Sequence, residues 1–220
     1  VAGSSETPKD GPSSSLEVEL KFDVDDATPL PDWTGLPGIT SVSDPEPRDL
    51  DARYFDTDDL ALAHAGYALR RRSGGPDAGW HIKGPREEGG GRTEQHWPLT
   101  GDETLPAAVH EAVRSAVPQA TDASLSPLAR IRNARTAYHL RDAEGGVVAE
   151  FVDDHVVATD ERRGGGAEQA WREWELELGP AAPTDPDEIA AFFAAAERVM
   201  TAAGARPAAS DSKLARTLGH

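Results

Sequence analysis

Strict two-residue alternation between apolar and charged side chains recurs along this chain, and that period belongs to strands rather than helices. Residues 171–178 read WREWELEL, which puts Glu173, Glu175 and Glu177 on one face and Trp174, Leu176 and Leu178 on the other. Near the start, Leu16, Val18, Leu20 and Phe22 alternate with Glu17, Glu19 and Lys21. Leu69 alternates with Arg70 and Arg72, and Trp80 and Ile82 alternate with His81 and Lys83. Arg92, Glu94 and His96 form a further set, and the stretches after Arg135 and from Val148 to Val157 are strand-like. A half-buried strand ordinarily turns its polar face to water. Here the polar faces carry fixed charge, segregated by strand: Glu-Glu-Lys, then Arg-Arg, then Lys, then Glu-Glu-Glu.

Gly-rich hairpin signals separate these runs, at Ser73–Gly79, Glu87–Gly91, Asp142–Gly146 and Arg163–Gly166. Short turns between about eight strands predict a meander that closes into a barrel. Thr57 or Asp58 can cap a short helix ended by Gly66, and Leu105–Val117 suits a second. Thr184, with Asp187 three residues on, predicts the N-cap of a third helix. Its apolar stripe runs from Ile189 through Phe192, Ala196 and Met200, and Gly204 ends it. Residues 210–218 suit a last short helix. The expected fold is α+β: a closed eight-stranded antiparallel β-barrel, or tunnel, with helices packed outside. It occupies residues 15–218 as a single domain, and residues 1–14 read as a disordered lead-in of Ser, Gly, Pro and charge.

Composition removes several function classes. Lys and Arg number 22 against 39 Asp and Glu, a formal net charge of −17. Nucleic-acid binding through bulk charge is not expected of such a chain. Cysteine is absent, which excludes disulfides, thiol nucleophiles and Cys-ligated zinc. No apolar run approaches the roughly 20 residues of a membrane helix, and no signal peptide is evident, so the expected location is the cytoplasm.

A closed barrel turns the two strand faces into an inside and an outside. Helices can cover the apolar outer faces, and the charged faces then line the lumen. Isolated buried charge costs roughly several kcal/mol, so a lumen of carboxylates, Arg and Lys needs a guest that carries a hard cation and a polyanion. Carboxylate oxygens suit Mg²⁺ or Mn²⁺; Arg and Lys suit phosphate oxygens. A metal–polyphosphate complex satisfies both sets.

The ordered motifs resemble those of the CYTH domains, also called triphosphate tunnel metalloenzymes. Glu17-Val18-Glu19-Leu20-Lys21 resembles the ExExK signature, Tyr54-Phe55-Asp56-Thr57 the YFDT element, and Gly66 to Arg72 the GxxLRxR strand. Trp80-His81-Ile82-Lys83 is similar to the lysine strand, Arg92-Thr93-Glu94 to the RxE strand, WREWELEL to the late ExE strand, and Ser212-Lys213 to the final lysine. The resemblance covers residues 16–218. It implies an eight-stranded tunnel that hydrolyses or cyclises triphosphate-containing substrates with Mg²⁺ or Mn²⁺. In many bacterial members a helical CHAD domain follows, so a CHAD domain outside this chain is an implied partner.

The resemblance assigns metal binding to Glu17 and Glu19 with Glu173 and Glu175, and keeps Glu177 and Asp154 as further candidates. Arg70, Arg72, Lys83 and Arg135 grip phosphates, and Lys21 and Lys213 add contacts, one of them assisting proton transfer. Glu94 orients the cations or takes a second metal; Glu150 is a weaker candidate, and His81 shares the inward parity. Asn133 stands where the family carries a second cation beside Arg135, with Arg130 or Arg132 as substitutes. The expected activity is hydrolysis of inorganic triphosphate or a simple organic triphosphate. A polyphosphate-binding module without turnover and an adenylate cyclase are the rival readings.

Overall fold

A computed structural model describes residues 12–87, 91–101, 104–120, 125–162 and 166–219. The tips of the expected 87–91 and 163–166 turns, and most of the expected lead-in, lie outside them. Within the described residues, strand pairing already includes Ser13–Ser15, which pair with His96–Glu94.

The strands are β1 (Ser13–Glu17), β2 (Glu19–Val24), β3 (Ser41–Val42), β4 (Glu46–Thr57), β5 (Ala68–Ser73), β6 (Gly79–Arg86), β7 (Arg92–Pro98), β8 (Leu125–Arg141), β9 (Val147–Asp160), β10 (Gln169–Leu178) and β11 (Arg206–Pro207). Four helices accompany them: α1 (Ala61–His64), α2 (Ala107–Ala116), α3 (Pro186–Ala203) and α4 (Lys213–Leu218).

All eleven strands belong to one sheet, in the order β1-β7-β6-β5-β4-β8-β9-β10-β2-β11, with β3 on the side of β8. Every pairing is antiparallel. The closed eight-stranded barrel does not form. The opening strand breaks at Val18: its first half pairs with β7 and its second half with β10. The two ends of the ladder are thus joined by the chain through Val18, not by a hydrogen-bonded pair of strands. The sheet curls so that β1, β2, β4, β5, β6, β8 and β10 all contribute side chains to one cavity.

The apolar faces pack outside the curl, as the alternation demands. Phe22, Phe151, Trp174 and Leu176 lie against Phe192, Ala196 and Met200 of α3. Leu69, Trp80, Ile82 and Trp97 lie against Leu62 of α1 and Val109 and Val113 of α2. Each large side chain so buried contributes roughly 1.5–3 kcal/mol. A third cluster fills one end of the interior: Ala52, Tyr54, Ile131 and Val156 meet Leu214 and Leu218 of α4. The interior is therefore charged along part of its length and apolar where α4 enters.

The α3 cap falls one residue later than Thr184. Asp185 accepts from the backbone N–H groups of Asp187 and Glu188. Pro186 occupies the first helical position, where its missing N–H and fixed φ are tolerated, and this places the cap on the residue before it. No described helix is long and apolar enough to cross a membrane.

One charged pair lies on the outer, apolar side. Arg172 binds Asp153 at 2.8 and 3.0 Å and donates to the carbonyls of Asp25, Asp26 and Thr28. Asp153 also accepts from Trp174 Nε1 at 3.1 Å. Arg172→Leu leaves Asp153 buried without its counter-charge, and is expected to lower unfolding free energy by about 3–5 kcal/mol in urea melts at neutral pH. Adding Asp153→Asn to that variant is expected to recover part of the loss. No recovery would assign the effect to the three carbonyls instead.

Candidate functional site

The cavity has a volume of about 370 Å³. Glu17, Glu19, Lys21, Arg70, Arg72, Lys83, Arg135, Glu175, Glu177 and Lys213 all line it. Strand parity explains this. Arg70 and Arg72 flank the outward Arg71 on β5, Glu175 and Glu177 flank Leu176 on β10, and Glu19 and Lys21 flank Leu20 on β2. Glu94, Asp154 and Glu173 are buried behind these residues.

Register sorts the late glutamates. Glu177 pairs with Glu19, Glu175 with Lys21, and Glu173 with Asp23. The acidic group around Glu17 and Glu19 therefore includes Glu177 rather than the expected pair Glu173 and Glu175. Three alternating glutamates fit the same period after a two-residue slip, so their spacing alone does not choose.

The carboxylates fall into two groups. Oxygens of Asp154, Glu173 and Glu175 lie within 4.8 Å of one another. The Lys213 ammonium sits among them, at 2.8 Å from Asp154, 2.6 Å from Glu173 and 2.8 Å from Glu175. Arg135 adds a two-pronged bond to Asp154 at 2.8 and 2.7 Å and reaches Glu175 at 2.8 Å. Burial opposes ionisation of Glu175, but Lys21, Lys213 and Arg135 hold its carboxyl well below the usual range. Burial likewise opposes ionisation of Asp154, and Lys213 and Arg135 overcome it. This triad already holds a cation on its own chain. It does not fit a metal while Lys213 is in place.

Glu17, Glu19 and Glu177 form the other group, and they are short of positive charge. Lys83 binds Glu17 at 2.5 Å and Lys21 binds Glu19 at 3.1 Å. Glu177 has no ion-pair partner among the described residues. Burial pushes Glu177 up to about 7, helped by Glu17 and Glu19. Burial also pushes Glu17 up to about 7, against the pull of Lys83. Glu17, Glu19 and Glu177 line the same cavity with surplus negative charge, a hard-oxygen donor set that suits Mg²⁺ or Mn²⁺, although their oxygens do not gather as closely as those of Asp154, Glu173 and Glu175.

Opposite lies the cationic wall. Glu94 fixes it by accepting from Arg70 at 3.4 Å and pairing with Lys83 at 3.2 Å. Both ring nitrogens of His81 face acceptors, Nδ1 the Glu94 carboxylate and Nε2 the Asp77 carbonyl. Glu94 thus lies between Arg70 and Lys83, with His81 against it. Arg70 also approaches the Tyr54 hydroxyl at 3.5 Å.

Among the polar cavity residues, Arg48, Tyr54, Asp77, Arg92 and Asp211 were not anticipated as contributors. Arg48 is the register partner of Arg135 and binds Glu150 at 3.0 Å through both terminal nitrogens. It is a second cation beside Arg135, itself paired with Glu150 and Glu46. Arg130 and Arg132 do not compensate, because they point outward to Asp51 and Glu168. Parity counted back from Tyr54 through Ala52 and Leu50 would have found Arg48; Asp77, in a turn, has no such signal.

The raised carboxyls give a pH dependence whose sign is fixed. Between about 4.5 and 7, folded Glu17 and Glu177 hold protons that the unfolded chain has released. Without added metal, stability from these two groups is present below about 4.5 and is lost as pH rises through about 7. The expected result is that melting temperature falls from pH 5 to pH 8 more steeply in wild type than in the Glu17→Gln, Glu177→Gln double variant. Parallel curves would contradict it.

Comparison with known proteins agrees with this geometry. The CYTH domain family model matches residues 15–204. Two Mycobacterium tuberculosis sequences, named Uncharacterized protein Rv2226 and Uncharacterized protein MT2285, are each 40% identical over 220 residues. Each match covers 94% of this chain but 41% of the relative, so the chain spans about two fifths of their length. Among solved structures, the bh2851 protein of Bacillus halodurans, described as a candidate adenylate cyclase, aligns with a TM-score of 0.62 at 18% identity. That alignment covers 92% of this chain and 97% of that one. HpAC1 of Hippeastrum, described as having a dominant triphosphatase activity, aligns with a TM-score of 0.55 at 20% identity, over 92% and 95% of the two chains. The match over residues 15–204 and the shared curled sheet establish that this chain belongs to the CYTH domain family.

Proposed function

We propose that this chain is a metal-dependent triphosphatase that hydrolyses inorganic triphosphate or a simple organic triphosphate within the curled sheet. One observation carries the reading. Under-neutralised carboxylates (Glu17, Glu19, Glu177) and a row of phosphate-matching cations (Arg70, Arg72, Lys83, Arg135) converge on the same 370 Å³ cavity. A metal–triphosphate complex supplies the charge that each set lacks. The triphosphatase activity described for the Hippeastrum neighbour accords with this reading.

Glu17, Glu19 and Glu177 would hold Mg²⁺ or Mn²⁺, which supplies Lewis-acid polarisation of phosphate oxygens. Arg70, Arg72 and Arg135 present planar forks to the phosphate chain. Lys83, fixed between Glu17 and Glu94, places a point charge beside the metal group. These cations stabilise the negative charge spread over the phosphoryl oxygens as water displaces the terminal group. The P–O bond to the terminal phosphorus breaks, leaving orthophosphate and a diphosphate. Lys21 lies between Glu19 and Glu175, and in this reading it would donate the proton that the leaving oxygen takes up. Lys213 is enclosed by three carboxylates; its role in this reading is to keep Asp154 and Glu175 aimed at Arg135.

Asn133, standing in place of a second cation, favours the rival reading of a module that binds polyphosphate without turnover. Arg48, which lines the same cavity opposite Arg135, weakens the case for this reading. Cyclase activity would appear as cyclic AMP on chromatography after incubation with ATP, and its absence is expected.

Purified protein with Mg²⁺ or Mn²⁺ is expected to release orthophosphate from tripolyphosphate, and to stop on chelation. Glu177→Gln is expected to cut kcat by about 10²- to 10³-fold, the scale of one lost electrostatic contact, while leaving Lys213 and its triad in place. Glu173→Gln is expected to act mainly on stability. Release of no phosphate with either metal would remove the enzyme reading for this substrate.

A further inference from the structure

Most of the inward cations are held by carboxylates anchored in the sheet. Arg135 has Asp154, and Arg70 and Lys83 share Glu94; both acids are buried. Arg72 differs. The carboxylate against it is Asp77, on the turn between β5 and β6. The Arg72 side chain is 8% exposed and the Asp77 side chain 52% exposed. A buried cation facing the cavity is thus paired with an acid that solvent can reach. Arg72 Nε has no hydrogen-bond partner, so Asp77 leaves the guanidinium with unused capacity.

The backbone of this turn is held at several points, whereas the Asp77 side chain is half exposed. Gly74 and Gly75 take φ values of 78° and 75°, a conformation that glycine adopts without strain. A Cβ on Gly74 would come within 1.8 Å of the Asp49 carbonyl oxygen. Farther along, the Asp77 carbonyl accepts from His81 Nε2 at 3.0 Å, and the Ala78 carbonyl lies 3.4 Å from His96 Nε2. The two imidazole rings pack at 4.7 Å between centroids. Rotation about the Asp77 side chain alone would therefore release Arg72 to another anion.

We propose that Asp77 is a resident anion for Arg72, occupying the place of a phosphoryl group, competing with the incoming substrate and returning to Arg72 as product leaves. The inference rests on the reading of the cavity as a phosphate site. Burial, with Arg70 and Arg135 nearby, brings Arg72 down to about 9, still charged at neutral pH, so an anion at this position offsets the cost of burying that charge. Competition reduces apparent affinity by the fraction of molecules in which Asp77 holds the arginine. It does so for substrate and product alike, which shortens the residence of a product that leans on Arg72.

The test is Asp77→Asn beside Glu144→Gln, which removes the same unit charge from the β8–β9 turn. Pyrophosphate binding is measured by calorimetry with Mg²⁺, and tripolyphosphate hydrolysis by steady-state kinetics, on variants whose thermal melts show them folded. Asp77→Asn is expected to tighten pyrophosphate binding by about two- to fivefold, the scale of one partly exposed ion pair. It is also expected to lower KM and to deepen product inhibition, with Glu144→Gln unchanged. If wild type binds pyrophosphate and Asp77→Asn binds it equally or more weakly, the proposal is overturned. Equal tightening in Glu144→Gln also overturns it, because the effect is then one of net charge. If wild type neither binds pyrophosphate nor hydrolyses tripolyphosphate, the phosphate-site reading itself fails, and the role of Asp77 with it.

Discussion

Charge buried inside a curled sheet must be neutralised where it stands, and the interior of this molecule is arranged around that requirement. Removing an ion from water costs several kcal/mol, of order, unless a counter-charge and hydrogen bonds replace the solvent. The chain meets most of the demand itself: Lys213 inside the Asp154, Glu173 and Glu175 triad, Arg135 on Asp154, Glu94 between Arg70 and Lys83. It leaves two places incompletely answered, the carboxylates Glu17, Glu19 and Glu177, and the guanidinium of Arg72. Those are the places where a metal and a phosphate would complete the balance. The acidic exterior, with a net charge of −17 for the whole chain, does not oppose this, because the cations that matter are turned inward.

Topology makes the arrangement possible. Val18 lets one segment serve both ends of the sheet, so Glu17 reaches Lys83 on β6 while Glu19 faces Glu177 on β10. A single mid-strand break thus brings acids from one end of the ladder beside bases near the other. Helix α4 closes the apolar end with Leu214 and Leu218 and delivers Lys213 to its triad. Packing and electrostatics share this element: the helix that seals the core also carries the counter-ion.

Much of this was legible in the sequence because strand parity is a strict code. WREWELEL and LEVELKF announced which side chains share a face, and the inward residues from Glu17 to Glu177 followed from counting by two. Register was not legible. Nothing in three alternating glutamates says which one sits opposite Glu19, and the structure answers Glu177. The closed barrel was a reasonable extrapolation from short turns, but a period-two pattern does not report that a strand changes partners at Val18. Asp77 was invisible for another reason: a turn residue has no face until the backbone is fixed, and here His81, His96 and the two positive-φ glycines fix it. The final lysine was read as a phosphate contact; its enclosure by three acids depends on where α4 docks, which no local pattern encodes.

The claim at the centre is a division of labour between the two acidic groups, one reserved for a divalent metal and one already satisfied by Lys213. Crystals grown with Mn²⁺ and tripolyphosphate test it through the anomalous signal of manganese. The account predicts manganese bound by Glu17, Glu19 and Glu177, with phosphate oxygens on Arg70, Lys83 and Arg135 and the Lys213 ammonium undisturbed. Manganese among Asp154, Glu173 and Glu175 with Lys213 expelled, or phosphate bound only to the outer surface of the sheet, would contradict it.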